Sequence, residues 1–214
     1  VEATSGSLTV ADTVTLSSGG NVRLYAGNDV SVTGVMAAGN VTITALSGSI
    51  LDSGDTAADV TALGLRLQAG AGIGLGNALD LTVTTLAAAA ATGIQVDNTK
   101  TLVIGTVPAV SVNRVQADGT TSAVGDAAAL SDLKSGTGAV ILQVSGTLQL
   151  TDGVNANGWA IDAGTGTVDL EVTGALQQDS GITASGAITV NAATITMATG
   201  TVIRKFKNRT TPGE

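Results

Sequence analysis

Apolar and polar residues alternate along most of this chain, in short runs separated by breaks that contain glycine. Residues 138–149 read GAVILQVSGTLQ and residues 166–177 read GTVDLEVTGALQ, so seven of twelve positions are identical at an offset of 28. Alternation with a period of two predicts β-strands that bury one face. The predicted interior residues and corner glycines of this repeat are Val140, Leu142, Val144, Val168, Leu170, Val172, Gly146 and Gly174.

A second repeat family has a shorter offset. Residues 20–26 (GNVRLYA) align with residues 39–45 (GNVTITA) at an offset of 19, and the pattern returns at residues 186–190 and 193–197. One strand face cannot form a core by itself, so its repetition every 19 to 28 residues indicates a solenoid rather than a propeller, whose blades need about 40–50 residues. We therefore expect an all-β solenoid of about nine or ten coils over residues 1–203, followed by a basic tail or linker at 204–214.

Two segments depart from the alternation. Residues 87–91 are five alanines, which favour either a short helix or a tight coil where only a methyl group fits. Residues 115–137 form the longest irregular stretch, which we interpret as a loop that projects from one coil. Within it, residues 126–134 suit one or two helical turns with Asp126 as the cap. This loop is either a binding site or an enlarged turn between strands that binds no partner.

Composition supports a regular interior. Apolar residues make up 43% of the chain but aromatic residues only 1%, a balance that suits stacked identical layers more than an irregular globular core. The chain has no cysteine and no histidine. These absences exclude disulfides, thiolate catalysis and the commonest general base, and they argue against most classes of enzyme.

The charge distribution limits the partners that we expect. The net charge is −8. Five of the nine basic residues are isolated along residues 1–203, which are therefore strongly acidic, and the other four lie in the last eleven residues. An acidic surface disfavours nucleic acid and anionic lipid, and no apolar run is long enough to cross a membrane. A chain that begins with Val1 is expected to be a mature form or an excised fragment.

Two runs resemble a known family. Residues 76–89 (GNALDLTVTTLAAA) and 94–107 (IQVDNTKTLVIGTV), together with the GNV units at residues 20 and 39, resemble the internal repeats of giant bacterial surface adhesins. These are the filamentous-haemagglutinin-like proteins with β-strand repeats, many of which are exported by two-partner secretion. The resemblance covers most of residues 6–200. It implies a right-handed parallel β-helix, an extracellular or cell-surface location, and a role in adhesion or biofilm cohesion.

Polysaccharide-active enzymes also use the β-helix, so clustered carboxylates were considered as a catalytic site. Asp162, Asp169 and Glu171 form one cluster, with Asp169 and Glu171 predicted on the same outward face, and residues 52–59 contain a second. Neither has nearby basic residues, and Trp159 is the only aromatic residue close to the first. Solvated acids on an outer face explain both clusters better, and we expect no catalytic residues and no cofactor.

The loop at residues 152–158 (DGVNANG) has the oxygen-rich, glycine-containing composition of a cation site. Asp152, Asn155 and Asn157 are weak candidates for metal ligands there. The loop lacks the ligand spacing of known calcium motifs, and a turn that tolerates positive φ explains it equally well.

The sequence thus favours a structural shaft segment of a large secreted or surface-anchored bacterial protein, and not an enzyme. Its expected partners are neighbouring coils of the same or an adjoining chain, including end-to-end self-association. The alternative is a module that binds a surface glycan or a host protein through the 115–137 loop or the outer sheet. A polysaccharide-active enzyme is a distant third interpretation.

Overall fold

The structure is a computed structural model that describes residues 1–54 and 57–205. All regular elements in these residues are β-strands, and none is a helix. The strands are β1 (Glu2–Ala3), β2 (Leu8–Thr9), β3 (Leu16–Ser18), β4 (Val22–Ala26), β5 (Val30–Val32), β6 (Val35–Ala37), β7 (Asn40–Ala45), β8 (Ile50–Asp52), β9 (Val60–Ala69), β10 (Leu79–Ala90), β11 (Ile94–Asn98), β12 (Leu102–Ile104), β13 (Thr106–Val107), β14 (Ser111–Val115), β15 (Thr121–Gly125), β16 (Leu130–Ser131), β17 (Leu133–Ser135), β18 (Val140–Val144), β19 (Leu148–Leu150), β20 (Trp159–Asp162), β21 (Val168–Gln178), β22 (Gly181–Ala184), β23 (Ile188–Met197) and β24 (Ile203–Lys205).

The chain winds into a parallel β-helix, which confirms the predicted fold class. Except for β13, β14, β15 and β16, which form two antiparallel pairs, each strand pairs in parallel with a strand one coil away. The longest column of parallel pairs contains nine layers: β1, β4, β7, β9, β10, β17, β20, β22 and β24. A second column runs through β2, β5, β8, β11, β18, β21 and β23. A third begins with β3, β6 and β9. At about 4.8 Å per layer, nine layers span roughly 40 Å along the solenoid axis.

The core is a stack of aliphatic side chains along the axis. In the longest column the inward-facing residues align coil on coil, and all of them have no exposed surface: Leu24, Ile43, Leu67, Ala88, Leu133, Ile161 and Ile182. Because the stacked layers leave only a narrow interior, aliphatic side chains fill it and aromatic rings are not needed. The scarcity of aromatic residues therefore follows from the fold.

The 28-residue repeat sets the register between β18 and β21. Val140 pairs with Val168, Leu142 with Leu170, and these four residues are at most 1% exposed. The next inward-facing pair along these strands, Val144 and Val172, is also buried. Burying one leucine side chain stabilises the fold by roughly 1.5–3 kcal/mol, so each aligned pair contributes substantially to the attachment of one coil to the next.

The two glycines of this repeat have related positions but different surroundings. Gly146 lies in the turn between β18 and β19, whereas Gly174 lies inside β21, where the register against β23 shifts. Strand β21 therefore continues through the predicted corner at Gly174, with a local shift of register, whereas Gly146 separates two strands. A Cβ on Gly174 would lie 2.7 Å from the backbone oxygen of Gly146, and a Cβ on Gly146 would lie 2.5 Å from the backbone nitrogen of Thr101. Both glycines allow stacked corners to approach closely.

Four of the five alanines extend strand β10, so the helical alternative for residues 87–91 is wrong. Ala88 and Ala90 face the core, and Ala87 faces outwards yet has no exposed surface. Strands β13 and β16 contact β10 on that outer side. A segment covered on both faces has room only for small side chains, and this tertiary constraint overrides the helical preference of alanine.

One buried polar residue completes the hydrogen bonding of the ladder. Asn98, at the end of β11, is 2% exposed. Its side-chain oxygen accepts a hydrogen bond from Val83 N at 2.9 Å, and its Nδ2 donates to Val83 O at 3.2 Å and Lys100 O at 2.8 Å. The side chain thus substitutes for backbone pairing at a point where β11 has ended, which leaves no unpaired donor there.

The last described coil is covered on one side only. Ile195, Met197 and Ile203 are exposed, whereas their register partners in the preceding coil are buried: Leu176, Gln178 and Ile182. Arg204 and Lys205, the first two residues of the predicted basic tail or linker, belong to β24. Residues 206–214 lie outside the described residues.

Replacing Leu170 with aspartate should destabilise the solenoid by more than about 3 kcal/mol, because the carboxylate would enter an apolar stack with no partner. We expect a lower midpoint of urea unfolding by circular dichroism. The matched control is Gln177→Asp, which places the same carboxylate on an exposed position of the same strand. Equal midpoints for the two variants would show that the inward assignment of Leu170 is wrong.

Candidate functional site

The longest interruption of the solenoid is an excursion between Gly105 and Asp132. The two flanking residues stay hydrogen-bonded, with Asp132 N donating to Gly105 O at 3.1 Å. We call residues 106–131 the arm. Its stem is the antiparallel pair β13 and β16, and its outer part is the hairpin of β14 and β15. The excursion therefore starts about ten residues earlier than the predicted loop of 115–137, and it has returned to the stack at β17.

The predicted helical turns at residues 126–134 are absent. This segment contains β16 and most of β17, and Asp126 closes the hairpin instead of capping a helix. Val110 and Asp126 exchange two hydrogen bonds, one from Asp126 N to Val110 O and one from Val110 N to Asp126 Oδ2, both 3.0 Å. A two-stranded hairpin is marginal in water by itself, so its position depends on contacts with the coils.

The arm folds back over the outer face of β4, β7 and β9, where it encloses a charged cluster. Asp126 Oδ1 lies 3.6 Å from Arg66 Nη1 and 3.9 Å from Arg23 Nε, and Thr42 Oγ1 donates to it at 3.4 Å. Arg66 also donates to Thr42 Oγ1 at 3.3 Å and to Gln68 Oε1 at 3.2 Å. The Arg66 and Asp126 side chains are only 8% and 3% exposed.

The same cluster reaches the first coil. Arg114, on β14, donates to Glu2 Oε2 at 2.9 Å, and Arg23 Nη1 lies 3.8 Å from the same oxygen. The Arg23 guanidinium also lies 5.0 Å from the centre of the Tyr25 ring, within the range of a cation–π contact. Between the hairpin and the first coil is a cleft of about 230 Å³, which is lined by Glu2, Arg23, Arg114 and Val112 among others.

This cluster is suited to holding the arm rather than to catalysis. Each carboxylate faces a guanidinium, which keeps its charge at any ordinary pH and transfers no proton. A buried ion pair fixes geometry more than it adds stability, since both charges lose hydration. Arg66 and Asp126 are 60 positions apart in the sequence, and no local pattern indicated that they would meet.

A column of carboxylates follows another outer face. Asp80 on β10 pairs in register with Asp97 on β11, and Asp80 N donates to Asp59 Oδ2 at 2.8 Å from the coil before. Burial, and secondarily the charge of Asp80, raises the pKa of the Asp97 carboxyl above its usual value. One oxygen of Asp97 is buried without a hydrogen-bond partner. The ionised form of Asp97 is therefore unfavourable in the folded protein.

The acids considered for polysaccharide chemistry do not form one site. Asp169 and Glu171 lie on the outward side of β21, as their spacing predicts, but Asp162 lies in a different column and accepts a hydrogen bond from Gly164 N at 3.0 Å. Glu171 accepts one from Asn191 Nδ2 at 2.8 Å. In the second cluster, Asp52 accepts from Gly54 N and Asn77, and Asp59 is buried. Residue 55 lies outside the described residues.

In the 152–158 loop the three candidate ligands point to different partners. Asp152 Oδ2 accepts from Gly158 N at 2.9 Å, and Asn157 Oδ1 accepts from Trp159 N at 2.8 Å. Asn155 Nδ2 donates at 2.7 Å to Asp132, a residue that the sequence analysis had not considered. Within residues 1–54 and 57–205 no group of three or more acidic side chains is placed to hold a metal ion.

Comparison with known proteins identifies no relative. No family model, no curated protein and no solved structure matches this chain. The part of the chain that the structure describes contains no helix long and apolar enough to cross a membrane. The resemblance to filamentous-haemagglutinin-like adhesins therefore stays an expectation from the sequence.

Asp126→Asn should loosen the arm, because it removes the carboxylate that faces Arg66 and leaves a buried guanidinium uncompensated. Trypsin cleaves after arginine, so we expect cleavage after Arg114 to accelerate by at least about tenfold, since proteolysis follows the population of the open form. The control is Asp118→Asn at the exposed hairpin tip, which changes the charge equally and should leave the rate unchanged. Equal rates for the two variants would contradict this role of Asp126.

Asp97→Asn should raise the thermal midpoint at pH 7. A raised folded pKa means that stability falls as pH rises through the interval between the unfolded and the folded pKa of Asp97, and stays lower above it. The gain should therefore vanish at a pH below both values, where the wild-type carboxyl is already protonated. Asp12→Asn, at an exposed turn, is the control and should not change the midpoint. A gain that persists in acid would exclude this electrostatic cause.

Proposed function

We propose that this chain is a stiff structural segment, a shaft or spacer, of a larger secreted or cell-surface bacterial protein that supports adhesion or biofilm cohesion. The observation that carries the proposal is the unbroken stack of nine strand layers with a continuous aliphatic core. The hydrogen bonds between coils run along the axis, so bending or stretching the solenoid must strain many of them together.

The surface supports the same role. Glu171 on the outer face is hydrogen-bonded to Asn191 of the neighbouring coil, Asp162 is hydrogen-bonded within its own turn, and the cluster under the arm consists of mutually compensating charges. The uncovered apolar edge of β23 and β24 is a surface on which a further β-layer, from this or another chain, can stack. A structural segment needs compensated surface charges and an edge that accepts further layers, and it needs no reactive centre.

The arm favours a second candidate function, a module that binds a glycan or a host protein. It exposes Val115 on its outer side and forms one wall of the cleft at Arg114 and Glu2. Because Gly105 and Asp132 are hydrogen-bonded to each other, residues 106–131 can be replaced by a short turn without parting the coils. Binding of the isolated chain to a glycan array, lost in this deletion, would favour the binding module over the spacer.

The spacer proposal is tested by the size of the native polypeptide. An antibody raised against residues 1–205 is used to probe secreted and surface fractions of the source cells. We expect a band far above the 20.7 kDa of this chain, and surface shaving with protease should remove it. A single band near 20.7 kDa, or one confined to the cytosol, would overturn the proposal.

A further inference from the structure

The 152–158 loop lies against the base of the arm, and its backbone donates to the stem. Val154 N donates to Thr106 Oγ1 at 2.9 Å and lies 3.2 Å from Ser131 Oγ, while those two hydroxyl oxygens are 3.0 Å apart. The loop and both strands of the stem therefore meet at one point, and none of these contacts involves the ion cluster of Asp126, Arg66 and Arg23.

Asp132 is the charged residue at this point. It is only 4% exposed, and its Oδ2 accepts the hydrogen bond from Asn155 Nδ2 at 2.7 Å. Its other oxygen, Oδ1, is buried and has no hydrogen-bond partner. A buried carboxylate oxygen with nothing bound to it is costly, because the lost hydration is not replaced.

Asp132 also has an acidic neighbour. Burial raises the pKa of the Asp132 carboxyl most, and the negative charge of Asp152 raises it further, against the hydrogen bonds from Asn155 and Gly153, which lower it. Protonation would remove the charge of Asp132 only, whereas a cation acts on both carboxylates. A cation beside Oδ1 would neutralise Asp132 and Asp152 together and fill the missing coordination.

We propose that Asp132 and Asp152 bind a divalent cation of the calcium type at the base of the arm, with oxygens of the 152–158 loop completing the coordination. Calcium accepts six to eight oxygen ligands in flexible geometry, from carboxylates, amides, backbone carbonyls and water. Asn155 supplies its amide oxygen if its side chain turns over. The site has only two carboxylates, and no group of three or more acidic side chains is placed to hold a metal ion among the described residues.

Because Asp152 and Asn155 are exposed, water completes the shell and the site is weak, with a dissociation constant of about 10⁻⁴–10⁻³ M, as in extracellular modules. The bound ion ties the loop to the coil from which the arm departs. This function is added to the spacer role and does not depend on it, since the ligands all lie within this chain.

Trp159, the only tryptophan, follows the loop directly and reports on it. We expect calcium chloride at up to about 10 mM to change Trp159 fluorescence saturably and to raise the thermal midpoint by about 3 °C or more, at constant ionic strength. Terbium should bind at the same place and be excited through Trp159. Magnesium, which demands stricter octahedral geometry, should act more weakly.

The variants Asp132→Asn and Asp152→Asn should each weaken the calcium midpoint by about tenfold or more. Asn suits position 132, where φ is 68°, so that variant keeps the backbone conformation. Asp152 is exposed, which makes its variant informative even if Asp132→Asn were unstable. Asp169→Asn removes an acid from a distant outer face and should leave the midpoint unchanged.

Three results would overturn the proposal. The first is a wild-type protein whose fluorescence and thermal midpoint do not respond to calcium, which would leave a buried water as the partner of Oδ1. The second is an unchanged calcium midpoint in Asp132→Asn and Asp152→Asn. The third is an equal loss in Asp169→Asn, which would mean general charge screening instead of a site.

Discussion

The structure depends on the stacking of inward-facing aliphatic side chains in register between successive coils. No coil has a buried face of its own, so Leu142 is covered only because Val96 and Leu170 lie directly below and above it. A slip of one residue would turn every inward side chain outwards, and the strict alternation of the sequence prevents this. Stability is therefore shared between neighbours, and coils that differ in length coexist as long as their strands keep this register.

The corners are where the chain varies, because they lie outside the stacked columns. The arm, the 152–158 loop and the turn at residues 179–180 all lie just before the longest column resumes, on consecutive coils. A large insertion is tolerated there because Gly105 and Asp132 remain hydrogen-bonded. The arm also covers Thr42 and Arg66, which the alternation alone would leave on an exposed outer face.

The fold was predictable from the sequence because its signal is local and repeated. The offsets of 19 and 28 residues recur as the registers of β4 with β7 and β18 with β21. The helical preference of the alanines was misleading because β10 is covered on both faces, by the core and by the arm. This cover is a tertiary property that a local pattern does not encode. The meeting of Asp126 with Arg66 and of Asp132 with Asn155 could not be predicted either, since an excursion off the solenoid has no repeat to fix its direction.

The difference between the stacked columns and the corners also explains where function can reside in this chain. The solenoid interior is filled by aliphatic side chains, and most side chains on the outer faces are at least partly exposed to solvent. The buried Arg66 and Asp126, and Asp132 with its unpaired carboxylate oxygen, occur where the arm or the 152–158 loop meets the coils. Specific recognition therefore has to arise at the corners, while the stacked columns determine only how far apart those corners are held.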